Sequence, residues 1–156
     1  MILKRDGSVW LAGENTYGQL GDGTTSARSI FVQSIHGDAE AITAGHDHSL
    51  VLKQDGSVWT TGRNNFGQLG AGPTVSTSTF AEVISGAVQA VAAGDWHSMV
   101  VTHDGTVWAT GANNYGQLGD GSTITKNIFV RVLPRNGAWV SRAFSISTGV
   151  LSSFFD

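Results

Sequence analysis

The chain has 156 residues, a formal net charge of −3 and only 13% charged residues. It is nominally one domain and lacks the clustered basic surface that a nucleic-acid partner demands. It has no cysteine, which excludes disulfides and thiolate metal sites, and no apolar run of the roughly 20 residues that a membrane-spanning helix needs.

From the N-terminus, Met1-Ile2-Leu3-Lys4-Arg5 enters a hairpin at once, so no signal peptide is expected. A cytoplasmic or nuclear location is the expectation if that N-terminus is genuine. Asp6-Gly7-Ser8-Val9-Trp10 follows, recurs at Asp55, and returns as Asp-Gly-Thr-Val-Trp at Asp104, a spacing of 49 residues each time. A period in that range marks a stacked or radial repeat. Gly13, Gly62 and Gly111 share the register, as do Asn15, Asn64 and Asn113. An aromatic residue (Tyr17, Phe66, Tyr115) then precedes Gly-Gln-Leu-Gly at Gly18, Gly67 and Gly116, and Phe31, Phe80 and Phe129 close the unit. Ala-Gly-x-x-His-Ser appears twice, at Ala44–Ser49 and Ala93–Ser98.

Each unit reads as four short strands. In the middle unit, Leu50-Val51-Leu52 and Val58-Trp59-Thr60 flank Gln54-Asp55-Gly56-Ser57, and Asp-Gly is read as the two-residue hairpin turn. In the next unit, the run from Ala87 to Ala92 suits a buried strand. The stretch around Phe80 to Ile84 supplies a fourth strand, more weakly. Glycine, 21 of 156 residues, is about twice as frequent as usual and falls between strands, where it permits positive φ. The expected fold is all-β: propeller-type blades of four antiparallel strands, about three repeats forming a partial or open propeller. A β-solenoid is the competing geometry, but its coils are usually shorter than this period. The repeats are expected over residues 1–133 (about 1–36, 37–85 and 86–133), with a divergent tail at 134–156.

The string from Ala44 to Gly70, repeated from Ala93 to Gly119 and half-present from Met1 to Gly21, resembles the repeat of the regulator of chromosome condensation family. That resemblance implies a β-propeller, usually of seven blades. It implies no single activity, since members include a nuclear guanine-nucleotide exchange factor, parts of ubiquitin ligases and a plant ultraviolet photoreceptor. The photoreceptor's tryptophan cluster with surrounding arginines has no assignable counterpart here. A seven-blade ring at this period would need about 340 residues, so a fragment of a larger propeller protein is expected. The register supports this: Met1 aligns with Leu50 and Met99, in mid-blade. Past Leu133 the pattern fails, with Trp139 at the position of Ala41 and Ala90, Ala143 replacing Gly45 and Gly94, and Ile146 replacing His48 and His97. The tail ends in Phe154-Phe155 and reads as a truncated or frame-shifted product. Uncovered blade faces would favour self-association.

Several residues invite a chemical reading. His46-Asp47-His48-Ser49 offers two imidazoles, a carboxylate and a hydroxyl, but the second copy is Asp95-Trp96-His97-Ser98. Only His and Ser recur, which fits a pair satisfying backbone groups at a strand start. The turns Asp22-Gly23-Thr24 and Asp120-Gly121-Ser122 each supply one carboxylate, too few for calcium. Lys126, Arg131, Arg135 and Arg142 read as a solvated rim and tail. Trp10, Trp59 and Trp108 are expected to pack between blades, and Trp96 to make a rim contact. Neither catalytic residues nor cofactor or metal ligands are assigned.

The expected function is a non-catalytic scaffold for an unidentified protein partner. Its candidate rim residues are His46, Asp47, Arg63, Asp95 and Trp96, positions where the copies differ on a common frame. The alternatives are a regulator of a small GTPase resembling a guanine-nucleotide exchange factor, and a truncated product without function. The exchange factors of the family use a protruding hairpin, and no insertion interrupts the 49-residue spacing to provide one.

Overall fold

The computed structural model describes residues 1–132. The expectations placed on the tail, on Arg135 and Arg142, and on Trp139, Ala143, Ile146 and Phe154-Phe155 lie outside the described residues. Every described element is a strand, in three antiparallel sheets. Strands β1 (Ile2–Leu3), β2 (Val9–Gly13) and β3 (Arg28–Ile35) form the first blade. The second comprises β4 (Ala39–Ala44), β5 (His48–Lys53), β6 (Ser57–Gly62) and β7 (Thr77–Ser85), and the third β8 (Val88–Ala93), β9 (His97–Thr102), β10 (Val107–Gly111) and β11 (Lys126–Arg131). Within each blade the strands pair in chain order, as propeller blades do.

The apolar run in β5 serves two interfaces because successive side chains point to opposite faces. Val51 joins Val9, Leu11, Leu20 and Ile35 in a core between the first and second blades. Leu50 and Leu52 join Val88, Ala93 and Val100 between the second and third. All three β5 residues are almost wholly removed from water, and each such side chain contributes roughly 2 kcal/mol. Trp59 packs against the first of these cores and Trp108 against the second, as the repeat predicts.

The repeated hairpin is not a two-residue Asp-Gly turn. Gln54, Asp55 and Gly56 all lie between β5 and β6, the Gly56 amide donates to the Lys53 carbonyl at 2.9 Å, and Gly56 has φ +79° while Asp55 stays at negative φ. This is the three-residue loop with a left-handed glycine at its end. It frees the aspartate for a local task. Asp55 Oδ1 accepts from the Ser57 amide at 2.9 Å, and the Ser57 hydroxyl accepts from Trp59 Nε1 at 3.0 Å. The same relay runs from Asp6 through Ser8 to Trp10. Lys4 and Lys53 then sit 4.1 Å over the Trp10 and Trp59 rings. The motif thus fixes the tryptophan rotamer as well as the turn.

The aromatic-Gly-Gln-Leu-Gly loop is organised by its asparagine, which is fully buried in all three copies. Asn15 Oδ1 accepts from the Leu20 amide at 2.9 Å, while its Nδ2 donates to the Thr24 and Ser26 carbonyls. Asn113 repeats this with Leu118, Ser122 and Ile124, and Asn64 with Leu69 and Pro73. So organised, the loop becomes a socket for the next blade. The Phe80 ring covers Gly21, and the Phe129 ring covers Gly70, leaving no room for a Cβ. Thr61 Oγ1 donates across the blade junction to Gly18 O at 2.9 Å, and Thr110 Oγ1 to Gly67 O at 2.7 Å.

Candidate functional site

The His-Ser pairs lie in these junctions and staple blade to blade. Ser49 donates to the Gln19 carbonyl of the first blade at 2.8 Å, and Ser98 to the Gln68 carbonyl of the second at 2.7 Å. His48 Nε2 lies 2.9 Å from Ser98 Oγ. The hydroxyl proton of Ser98 is committed to Gln68, so Nε2 carries the imidazole proton and donates it. The sequence places this pair at strand starts, and that is where it sits. Its partners, however, belong to the neighbouring blade. Burial, then the charge of His97, lowers the pKa of His48 to about 4, so the ring is neutral. Its serine is 50 positions away, and both groups are sealed from solvent. That geometry is a structural staple.

The acidic turns are likewise saturated from within. Asp22 accepts from the Thr24 amide and hydroxyl and from Asn15, and pairs with Arg28 Nε at 2.6 Å. Burial pushes its pKa up, but the bonds from Thr24 and Arg28 prevail and hold it at about 2. Asp120 is also held at about 2, first by hydrogen bonds from Ser122 and then with help from Lys126 and Asn113. Donors occupy the lone pairs that a cation would need.

Four of the five candidate rim residues converge in one cluster. Between β4 and β5, the turn carries His46 and Asp47. Arg63 follows β6, and Trp96 sits between β8 and β9. Asp47 is buried and takes Arg63 Nη1 at 3.2 Å on Oδ2 and His46 Nδ1 at 3.0 Å on Oδ1. The Arg63 guanidinium lies 4.6 Å from the Tyr17 ring centre and 4.8 Å from that of Trp96. His46 stacks on Trp96 with centres 4.9 Å apart, and Phe66 meets Trp96 edge-on at 5.7 Å. Asp95 touches the group through its backbone, its carbonyl accepting from the His46 amide at 3.2 Å. Trp96 is therefore a rim contact, half-buried within an aromatic box.

Tyr17 and Phe66 were recognisable in the sequence as the aromatic before Gly-Gln-Leu-Gly, but not as members of this site. They join it because the loop of each blade abuts the next, so Tyr17 of the first blade, Arg63 and Phe66 of the second and Trp96 of the third share one rim. The signal available was their common register just ahead of the socket loop. Tyr115, in the same register, is 94% exposed. Among the described residues no group of three or more His, Cys, Asp or Glu side chains is arranged to hold a metal ion.

Comparison with known proteins agrees with this architecture. The family profile described as the regulator of chromosome condensation (RCC1) repeat matches residues 6–52, 55–101 and 104–154, and a second profile of that repeat matches 40–68 and 88–117. The chain belongs to the regulator of chromosome condensation repeat family. Among solved structures it is similar to Prp20p from Saccharomyces cerevisiae, at 22% identity and a TM-score of 0.75 over 85% of this chain and 36% of that one. It is also similar to human WBSCR16, at 27% identity and TM-score 0.68 over 83% and 35%. Yeast RCC1 (Prp20) in complex with Kap60 gives 21% identity and TM-score 0.72 over 85% and 34%. The chain thus spans about a third of the length of these structures. A search of curated proteins found no match.

Proposed function

We propose that the chain is a non-catalytic interaction module whose blades hold a rigid aromatic-arginine rim for a protein partner. The observation that carries this reading is the convergence of Tyr17, Arg63, Phe66 and Trp96 from three blades around the buried Asp47. Arginine and large aromatics dominate the energetics of protein interfaces. An arginine already stacked and ion-paired loses little further entropy on binding. The residues that repeat without change are spent on turns and loops within blades and on junctions between them, which leaves the variable rim as the surface that distinguishes this chain from others of its fold.

Prp20p has been studied for binding to Gsp1p and histones, and yeast RCC1 has been captured with Kap60. Those partners belong to those proteins, and at this identity the likeness carries the fold. A role in accelerating nucleotide release from a small GTPase is the second reading, supported by that shared fold. Affinity capture from extracts of the source cells, run in parallel on the native chain, on Trp96→Ala and on a control changed at the exposed Glu82, tests the first reading. A protein captured by native and control chains and lost with Trp96→Ala is the expected result. Equal capture by all three contradicts it. Stopped-flow release of a labelled nucleotide from a panel of small GTPases tests the second, and acceleration at catalytic concentrations of the chain would replace the scaffold reading.

A further inference from the structure

Blade docks on blade by the same pattern twice, and among the described residues one copy of each half is unmated. At the first junction Asp22 forms a β-bridge with Thr79, the Gly23 amide donates to Ser78 O at 2.9 Å, Ser78 lies against Gly18 and the Phe80 ring covers Gly21. At the second junction Ala71 bridges Ile128, the Gly72 amide donates to Asn127 O at 2.9 Å, Asn127 lies against Gly67 and Phe129 covers Gly70. The socket is a glycine loop with a free backbone edge. The plug is a three-residue stretch of an outer strand ending in phenylalanine.

The third blade presents another socket at Gly116, Gly119 and Gly121. Among the described residues nothing lies within 4 Å of a Cβ built on Gly119 or Gly121, and Gly116 meets only Ser122 of its own loop, at 3.9 Å. The matching plug is Ser29-Ile30-Phe31 on β3, in register with Ser78-Thr79-Phe80. Phe31 is 48% exposed, whereas Phe80 and Phe129 are half-buried in their sockets.

We propose that a second copy of this chain fills the socket: β3 of one copy docks on the third blade of another, head to tail. Phe31 then covers Gly119, Ile30 bridges Asp120, and the Gly121 amide donates to Ser29 O, continuing the junction already built twice within each chain. The plug-and-socket part of the contact is backbone hydrogen bonding and aromatic burial on glycine, neither of which depends on special side chains in the socket. Ala12 stands where Thr61 and Thr110 supply a staple, so this junction is weaker than the internal ones. The contact is heterologous, one surface on one copy meeting a different surface on the next. Neither the plug nor the socket contains His46, Asp47, Arg63 or Trp96.

Sedimentation velocity of the full chain over about a hundredfold range of concentration reads the assembly. Growth of the sedimentation coefficient with concentration is expected, and its loss in Phe31→Glu. A monomer at every concentration overturns the proposal, as does undiminished assembly of Phe31→Glu. The chain has no cysteine, so a second test is clean: Ile30→Cys and Asp120→Cys chains are mixed and oxidised. Bridge partners lie within disulfide range, and a cross-linked heterodimer in excess of either homodimer is expected. Its absence also overturns the proposal, whatever the fate of Phe31→Glu.

Discussion

At the scale of single residues, many of the repeated polar side chains do their work out of water, and this makes stability depend on pH in a defined direction. His48 is buried and its pKa is lowered to about 4, while His97 is shifted downward by burial as well. The unfolded chain therefore binds protons at these sites that the folded chain refuses. Stability from His48 is complete above about pH 6.5, the value of an unperturbed histidine, and is lost as pH falls from there towards about 4. The loss amounts to at most about 3 kcal/mol. Below that range Asp22, Asp104 and Asp120, each held at about 2, add a second decline as they protonate. Thermal melts between pH 7 and pH 4 are expected to show a falling midpoint, and His48→Gln, which keeps a donor near Nε2 without a titrating ring, a shallower one. A slope unchanged by His48→Gln would show that the titration lies elsewhere.

The buried asparagines make a sharper case. Replacing Asn15 by alanine strands the buried Leu20 amide, at a cost of about 1–3 kcal/mol for an unpaired buried group, and takes the donor from the carbonyls of half-buried Thr24 and exposed Ser26, about 1 kcal/mol for each bond lost. A loss of about 3 kcal/mol in denaturant unfolding is expected. A loss within about 0.5 kcal/mol, as for a surface change, would mean that the loop holds its shape without this hub.

At the scale of elements, the glycines separate local turn geometry from docking. Gly70 and Gly119 occupy the same place in successive sockets, both with φ +74°, but a Cβ on Gly70 runs into the Phe129 ring while one on Gly119 meets nothing within 4 Å among the described residues. Gly119→Ala should cost about 1–2 kcal/mol for placing alanine in the left-handed region, and Gly70→Ala should cost several kcal/mol because the ring is displaced as well. Equal losses in the two melts, taken at concentrations where the chain is a monomer, would mean that the blades do not dock through these loops.

The same contrast shows which elements the sequence could reveal. β5 and β6 announce themselves by apolar and β-branched runs, because both of their faces are covered. β7 signals weakly because it is the outermost strand and largely exposed, so only Phe80 to Ile84 of its nine residues, Thr77–Ser85, stood out. Asp-Gly by itself predicts a two-residue hairpin turn. The structure inserts Gln54 as well and uses Asp55 to orient Ser57 and Trp59. The pairing of His48 with Ser98 was beyond periodicity altogether, since it depends on how far one blade is rotated over the next.

At the scale of the whole molecule, the repeat separates into frame and display. His48, Ser49, Ser98, Thr61, Thr110 and the socket glycines join blades. His46, Asp47, Arg63 and Trp96, positions where the copies differ, form the rim cluster. The sequence marked these four as variable rim positions. Their mutual contact was not legible, because Arg63 reaches Trp96 and Tyr17 only through docking of neighbouring blades. Asp95 was grouped with them by register and joins through its carbonyl.

The division between frame and display is tested most directly by titration calorimetry of the captured partner against the native chain, Trp96→Ala and Ser98→Ala. Trp96→Ala is expected to weaken binding by about tenfold or more, as loss of an interface anchor does, in a chain that stays folded although its melting temperature falls with the lost contacts to His46, Arg63 and Phe66. Ser98→Ala, which removes a buried staple, is expected to lower the melting temperature while leaving the affinity of the folded chain intact. Native affinity in Trp96→Ala, together with lost affinity in a still-folded Ser98→Ala, would contradict the assignment of function to the rim.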